Sequence, residues 1–246
     1  MLKMFVFDLD GTLADSKSAI TKNTALMLKK LLDSFEVCII TGGNEEQIMT
    51  QVISNLPEES NLSNLHLMPT CGAKYKRFIE GAWTYMYQHI LPQTLRRDVI
   101  IKIEEEARDL GIWESKIYGE IIEDRESQIT FSALGQNAPL PLKEVWDTTG
   151  EKRKILAARL SPLFEDLDFR IGGSTSIDIT GKNMDKSFGV LELMRINKLN
   201  KEELIFFGDR LEPGGNDYPV LSTGIKAVKV GSPEETFSTV NNILDK

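Results

Sequence analysis

The run MFVFDLDGT at residues 4–12 constrains this chain more than any other stretch. Apolar residues Met4 to Phe7 lead straight into Asp8, a second carboxylate follows at Asp10, and Gly11 and Thr12 come next. A solvated turn can use Asp-Gly-Thr, but it has no need of an apolar strand aimed at it. Side chains on an extended segment alternate with period two, so Asp8 and Asp10 point the same way. Like charges held that close repel, and the pattern calls for a cation, a shared proton or both.

The chain around this run alternates between two periodicities. Residues 16–34 carry Ile20, Met27, Leu28 and Leu31 at helical spacing, with Asp15 or Ser16 as candidate N-caps. The short apolar run EVCII ends in Thr41, Gly42 and Gly43, and NEEQIMTQVISNL reads as a second amphipathic helix through Ile48, Val52 and Leu56. LHLMPTCGAKYK reads as a further strand and turn. Strands alternating with helices through short polar tips predict an α/β domain built on a parallel sheet. Near residue 80 the rhythm changes. A helix from about Pro92 to Leu110, with Leu95, Val99, Ile103 and Ala107 on one face, precedes strand-turn-strand segments and a helix around EKRKILAARLSPLF. That order predicts an α+β unit with an antiparallel sheet. From Lys186 the first rhythm returns. The expected organisation is a Rossmann-like parallel-sheet core from residues 1–82 and 184–246, with an α+β domain of antiparallel sheet plus helices inserted at 83–183.

Composition narrows the partners. The 29 Lys and Arg against 37 Asp and Glu give a net charge of −8, which argues against broad nucleic-acid binding, since that needs a basic face to neutralise phosphates. A local basic pocket for a small anion remains compatible with such a surface. Cys38 and Cys71 read as buried thiols in a reducing compartment. No apolar run reaches bilayer length, and the first strand occupies the N-terminus where a signal peptide would stand, so no membrane association and a cytoplasmic location are expected. His66 and His89 are too far apart to suggest a metal pair, and Trp83, Trp113 and Trp146 are expected to pack the small core of the insert.

Open α/β sheets bind ligands beyond the carboxyl ends of their strands. That rule gathers Asp8, Asp10, Thr41, Gly42, Gly43, Asp209, Asn216 and Asp217 on one rim, with Lys186 returning an ammonium to it. Asp8, Asp209 and Asp217 make an oxygen-rich site suited to Mg²⁺. A phosphoryl group needs such equipment: a cation, a lysine, hydroxyl and backbone N–H donors, and a nucleophile in line.

DLDGT, the strand end at Thr41, Lys186 and GDRLEPGGND together resemble the four motifs of the haloacid dehalogenase-like (HAD) phosphatase and phosphotransferase superfamily. The inserted middle is similar to the type C2b cap of its subfamily IIB. The resemblance implies that Asp8 attacks phosphorus and carries an aspartyl phosphate, while Asp10 protonates the leaving oxygen and later deprotonates the acceptor. It implies that Thr41 and Lys186 hold the phosphoryl group, with the backbone of Gly42 and Gly43 beside them. It implies Mg²⁺ as cofactor, bound through Asp8, the Asp10 carbonyl and Asp209 with Asp217 in support. Cap closure is implied too, with hinges near residues 80 and 183, where Gly181 would suit the second.

Within the superfamily, FFGDRLEPGGND and GGSTSIDITGKNMDK resemble the eukaryotic-type phosphomannomutase branch, which carries over Ser176 and Asp178 as cap contacts to sugar or phosphate. Ser174, Ser176, Asp178 and Thr180 share one face of that strand, Ile177 and Ile179 the other, and a solvated outer face is the alternative reading. In DRESQITFSALGQ the branch's first arginine is kept as Arg125, itself readable as a solvated turn residue, but its last arginine is Gln136. A neutral amide cannot make the bidentate, charge-assisted contact that arginine offers a phosphate. The expected activity is therefore Mg²⁺-dependent hydrolysis of a phosphorylated sugar or similar small metabolite. The alternative is a phosphomannomutase-type isomerase, in which Arg96, Arg97 or Lys143 replaces the lost contact. A non-catalytic sensor of a phosphorylated metabolite is the third reading, and it leaves the nucleophile without a purpose. The branch also implies a homodimer through the cap.

Overall fold

A computed structural model describes residues 1–244. The chain forms two compact units, one of Met1–Gln88 with the segment from Asp185 onward, the other of His89–Met184.

The first unit opens with β1 (Met4–Phe7), α1 (Lys22–Leu32), β2 (Glu36–Ile40), α2 (Glu45–Gln51), β3 (Leu65–Met68), β4 (Lys74–Ile79) and β5 (Ala82–Gln88). The second unit comprises α3 (Gln93–Asp109), β6 (Ile122–Asp124), β7 (Gln128–Ser132), α4 (Leu140–Trp146), α5 (Glu151–Leu160), β8 (Leu167–Gly172) and β9 (Ser176–Gly181). The chain then returns to the first unit through α6 (Lys186–Asn197), β10 (Leu204–Gly208), β11 (Lys226–Lys229) and α7 (Pro233–Leu244).

The large sheet has the order β11-β10-β1-β2-β3-β4-β5, parallel from β11 to β3 and antiparallel across β4 and β5. Its central strands are apolar at nearly every position because both faces are covered. Phe5, Phe7, Val37, Ile39 and Phe207 pack with α1 and α7 on one face, while Met4, Val6, Cys38, Ile40 and Phe206 pack with α6 on the other. His66 lies inside β3, fully buried, its Nδ1 2.7 Å from the Tyr75 hydroxyl.

The structure departs from the sequence reading at this sheet's edge. Residues from 83 were expected in the insert, yet Ala82–Gln88 pairs with β4 along its whole length. Glu80 and Gly81, where a hinge was expected, form the two-residue turn between these strands, both at positive φ, the geometry that matches strand twist in a tight hairpin. Trp83 accordingly packs on the first unit's core, edge-on to Phe78.

Two helix limits also differ. Thr21, not Asp15 or Ser16, caps α1, its hydroxyl accepting from the Thr24 N–H at 3.2 Å. The second helix stops at Gln51, and Ile53–Asn55 tightens into a 3₁₀ turn.

The second unit is a four-stranded antiparallel sheet, β6-β7-β9-β8, with a core of its own. Val99, Ile103 and Ala107 of α3 and Leu156 and Leu160 of α5 meet Ile129, Phe131, Ile177 and Ile179 of the sheet. Gly181 closes β9 opposite Leu167, inside the sheet and before the boundary at Met184. The short helix α4, flanked by Pro139 and carrying Pro141, is absent from the sequence reading.

Candidate active site

Strand register brings the acidic tips together. Phe7 pairs with both Phe207 and Ile39, and the Asp8 N–H donates to the Phe207 carbonyl at 2.9 Å. Asp8, Thr41 and Asp209 therefore follow directly on their strand ends, along one edge of the sheet. Lys186 opens α6, which Asp185 caps by accepting from the Ser187 N–H at 2.9 Å. Its side chain is fully buried and its Nζ donates to Asp8 Oδ1 and, at 2.6 Å, to Asp217 Oδ1. Asp217 is also fully buried, and its other oxygen accepts from the Arg210 N–H at 3.0 Å.

Carboxylate oxygens of Asp8, Asp209 and Asp217 lie within 4.8 Å of one another. Burial, reinforced by Asp217 and Asp209, pushes Asp8 up to about 8 against the pull of Lys186. Asp209 rises to about 6, again from burial first and the Asp217 charge second. Burial works to lower the Lys186 pKa, but Asp217 and Asp8 outweigh it and hold the ammonium above its usual range.

Three carboxylates facing one ammonium leave two negative charges uncompensated if all ionise, a deficit that matches a divalent cation. Mg²⁺ takes hard oxygen donors, and carboxylates of this kind would hold it. The donor set fits the ion.

Asp10 is served by other elements. Its Oδ1 accepts from the Lys17 N–H at 2.8 Å and from Gln51 Nε2 at 3.3 Å, and its Oδ2 from Gln47 Nε2 at 2.8 Å. The Gly43 N–H donates to Thr41 Oγ1 at 3.0 Å, while Thr41 and Gly43 carbonyls accept from the N–H groups of Cys71 and Thr70. Sequence reasoning missed Gln47 and Gln51, although their spacing of four places them on one helix face.

Ser176 and Asp178 lie on β9 of the second unit's sheet, and Arg125 in the turn between β6 and β7. Arg125 donates to Glu123 Oε2 at 2.7 Å, and Ser176 pairs with Ser132 across β7 and with Gly172 across β8. Asp178 accepts from Thr130 Oγ1 at 2.8 Å and Gln128 Nε2 at 3.0 Å; its desolvation raises its pKa while Arg125 and the Thr130 hydroxyl oppose the rise. The face read as Ser176, Asp178 and Thr180 also holds Arg170, whose guanidinium donates to Thr180 Oγ1 at 2.8 Å. Lys143 donates from Nζ to the Gln136 carbonyl at 2.9 Å, which places an ammonium beside the residue that stands in for an arginine.

Solved structures define the fold. A haloacid dehalogenase-like hydrolase from Bacteroides thetaiotaomicron matches with a TM-score of 0.66 over 99% of this chain and 100% of its own, at 15% identity. An N-terminally truncated, IMP-bound Plasmodium falciparum IMP-nucleotidase matches with a TM-score of 0.73 over 100% of this chain and 68% of its own, also at 15% identity. At those identities the likeness is one of fold, and the fold is HAD-like. The eukaryotic phosphomannomutase family matches residues 25–246, and the chain belongs to that family. The phosphomannomutase of Encephalitozoon cuniculi (strain GB-M1) is 26% identical over 260 residues, covering 99% of this chain and 94% of that protein. The chain is thus an enzyme of the HAD phosphotransfer superfamily. Among the described residues no helix is long and apolar enough to cross a membrane.

Proposed function

We propose that the chain is a phosphohexomutase of the phosphomannomutase type, moving a phosphoryl group between the 1 and 6 positions of a hexose through an aspartyl phosphate. The family match over residues 25–246 carries this reading. It reverses the order in which the motifs alone ranked hydrolysis and isomerisation. Asp8 bonds to phosphorus as the ester oxygen leaves, and Asp10 gives that oxygen its proton. Asp10 then takes the proton of the incoming hydroxyl, which attacks the aspartyl phosphate and frees Asp8. Lys186, Thr41 and the backbone of Gly42 and Gly43 hold the transferring group. Asp8, the Asp10 carbonyl, Asp209 and Asp217 would hold Mg²⁺, which supplies charge neutralisation of the phosphoryl oxygens. Arg125, Ser176 and Asp178 contact the sugar or its second phosphate, with Lys143 contributing the charge that Gln136 lacks.

Gln136 favours a second reading, hydrolysis of the same class of phosphorylated sugar. A mutase must keep hold of the bisphosphate intermediate while it turns over, and a neutral amide holds a phosphate weakly. Mannose 1-phosphate or glucose 1-phosphate with Mg²⁺, incubated with and without catalytic sugar 1,6-bisphosphate and followed by phosphorus NMR, separates the two. Bisphosphate-dependent appearance of the 6-phosphate is the expected result; phosphate release without isomer would establish the hydrolase instead.

A further inference from the structure

Three N–H donors converge on the Asp10 carboxylate, and they come from two segments. Lys17 N–H at 2.8 Å and Gln51 Nε2 at 3.3 Å fill Oδ1, while Gln47 Nε2 at 2.8 Å takes one side of Oδ2. A carboxylate has about four lone-pair positions, so the arrangement leaves room for a proton on Oδ2.

Gln47 and Gln51 lie one turn apart on α2, and both are anchored. The Gln47 N–H donates to the Asn44 cap at 2.9 Å, and the buried Gln51 donates from its side chain to the Ser18 carbonyl as well. The Gln47 amide crosses directly over Gly43. A Cβ at position 43 would stand 2.0 Å from Gln47 Oε1 and 2.7 Å from Gln47 Cδ. Any side chain there must displace the amide, which sits at the far end of a flexible chain, so the backbone need not move.

We propose that Gln47 is a positioning residue for the proton-transferring carboxylate, and that Gly43 lacks a side chain so that the Gln47 amide can reach Asp10. The proposal rests on the acid–base role given to Asp10 above. Gln47 fixes the rotation of the carboxylate, and with it the place on Oδ2 from which a proton passes to the leaving oxygen as the bond between Asp8 and phosphorus forms. Gly43 therefore couples two loops: its N–H meets the Thr41 hydroxyl, and its bare α-carbon admits the amide that orients Asp10.

A leaving-group comparison tests this. For an enzyme that forms a covalent intermediate, kcat/KM reports steps through the loss of the leaving group. A sugar alkoxide needs a proton to leave; p-nitrophenolate does not. With Mg²⁺ present, Gln47→Ala and the isosteric Gln47→Met should lower kcat/KM for a hexose 1,6-bisphosphate by about 10–100-fold and leave that for p-nitrophenyl phosphate within about threefold. On the hexose bisphosphate Gly43→Ala should lose kcat/KM as well, and the Gly43→Ala/Gln47→Ala double variant should lose no more than the larger single loss. Equal losses on both substrates in the Gln47 variants, or additive losses in the double variant, would overturn the proposal, because a structural defect in the first case and independent roles of the two residues in the second predict those. Asp10→Asn is run alongside. Unchanged hexose bisphosphate turnover in Asp10→Asn would remove the acid–base reading itself; a loss there with Gln47→Ala unaffected would overturn only the positioning role.

Discussion

Lys186 is a fully buried ammonium whose two partners, Asp8 and Asp217, are themselves buried. Removing one member of such a cluster has opposite effects depending on its sign. Asp8→Asn relieves repulsion among three carboxylates, so it should leave the thermal midpoint unchanged or higher while cutting turnover more than about 10³-fold. Lys186→Ala leaves two buried carboxylates facing each other and should cost about 3 kcal/mol in urea unfolding. A second ion pair makes a pH prediction. Asp147 accepts from Arg153 Nε at 2.9 Å and from the N–H groups of Arg153 and Lys152 at 3.2 Å. Burial works to raise its pKa, but these donors outweigh it and hold Asp147 below the usual carboxylate range. A depressed carboxylate contributes stability that is present above its unfolded value of about 4 and is lost as pH falls through the folded one. The urea midpoint of the second unit should therefore drop as the pH falls below about 5, and Asp147→Asn should flatten that drop.

At the scale of elements, one turn holds the loop after β2 against α6. Thr70, Cys71 and Gly72 all have positive φ, at 51°, 56° and 87°. Successive left-handed residues are costly for side chains with a Cβ, and such strain persists only where surrounding contacts enforce it. Those contacts are visible: the N–H groups of Thr70 and Cys71 reach the Gly43 and Thr41 carbonyls at 2.8 Å, and a Cβ on Gly72 would stand 2.5 Å from the Gly189 α-carbon. Gly72→Ala should destabilise the protein by about 1–3 kcal/mol and reduce turnover with it, because the clash is with helix backbone rather than a mobile side chain. Cys71→Gly relieves strain in the same turn and should raise the urea midpoint or leave it unchanged. The N-cap at Asn44 is the other local device near the loop, and Asn44→Ala should cost about 1 kcal/mol.

At the scale of the whole molecule, the insert supplies its own core. Val99, Ile103, Phe131, Leu156 and Ile179 come from within His89–Met184, so that segment expressed alone should unfold cooperatively and show near-UV circular dichroism; a non-cooperative melt would count against its independence. The apolar strands, the acidic tips that follow them and the switch of rhythm marking an insert were all legible in the residues, because each is a local pattern. A buried strand must be apolar throughout, and a chain reversal needs its turn residues in place. Asp8 and Asp209 could be picked out as candidates on those grounds, and Lys186 from its place at the head of the returning α/β segment. Folding in three dimensions was needed to place Ala82–Gln88 in the large sheet, to have Asp217 share Lys186 with Asp8, to stand Arg170 on the face of Asp178, and to bring Gln47 to Asp10 across a bare α-carbon. The pairings of Lys186 with Asp8 and Asp217 and of Gln47 with Asp10 join residues far apart in the chain, and their energy comes from close approach and desolvation, which exist only once the strands have been laid side by side.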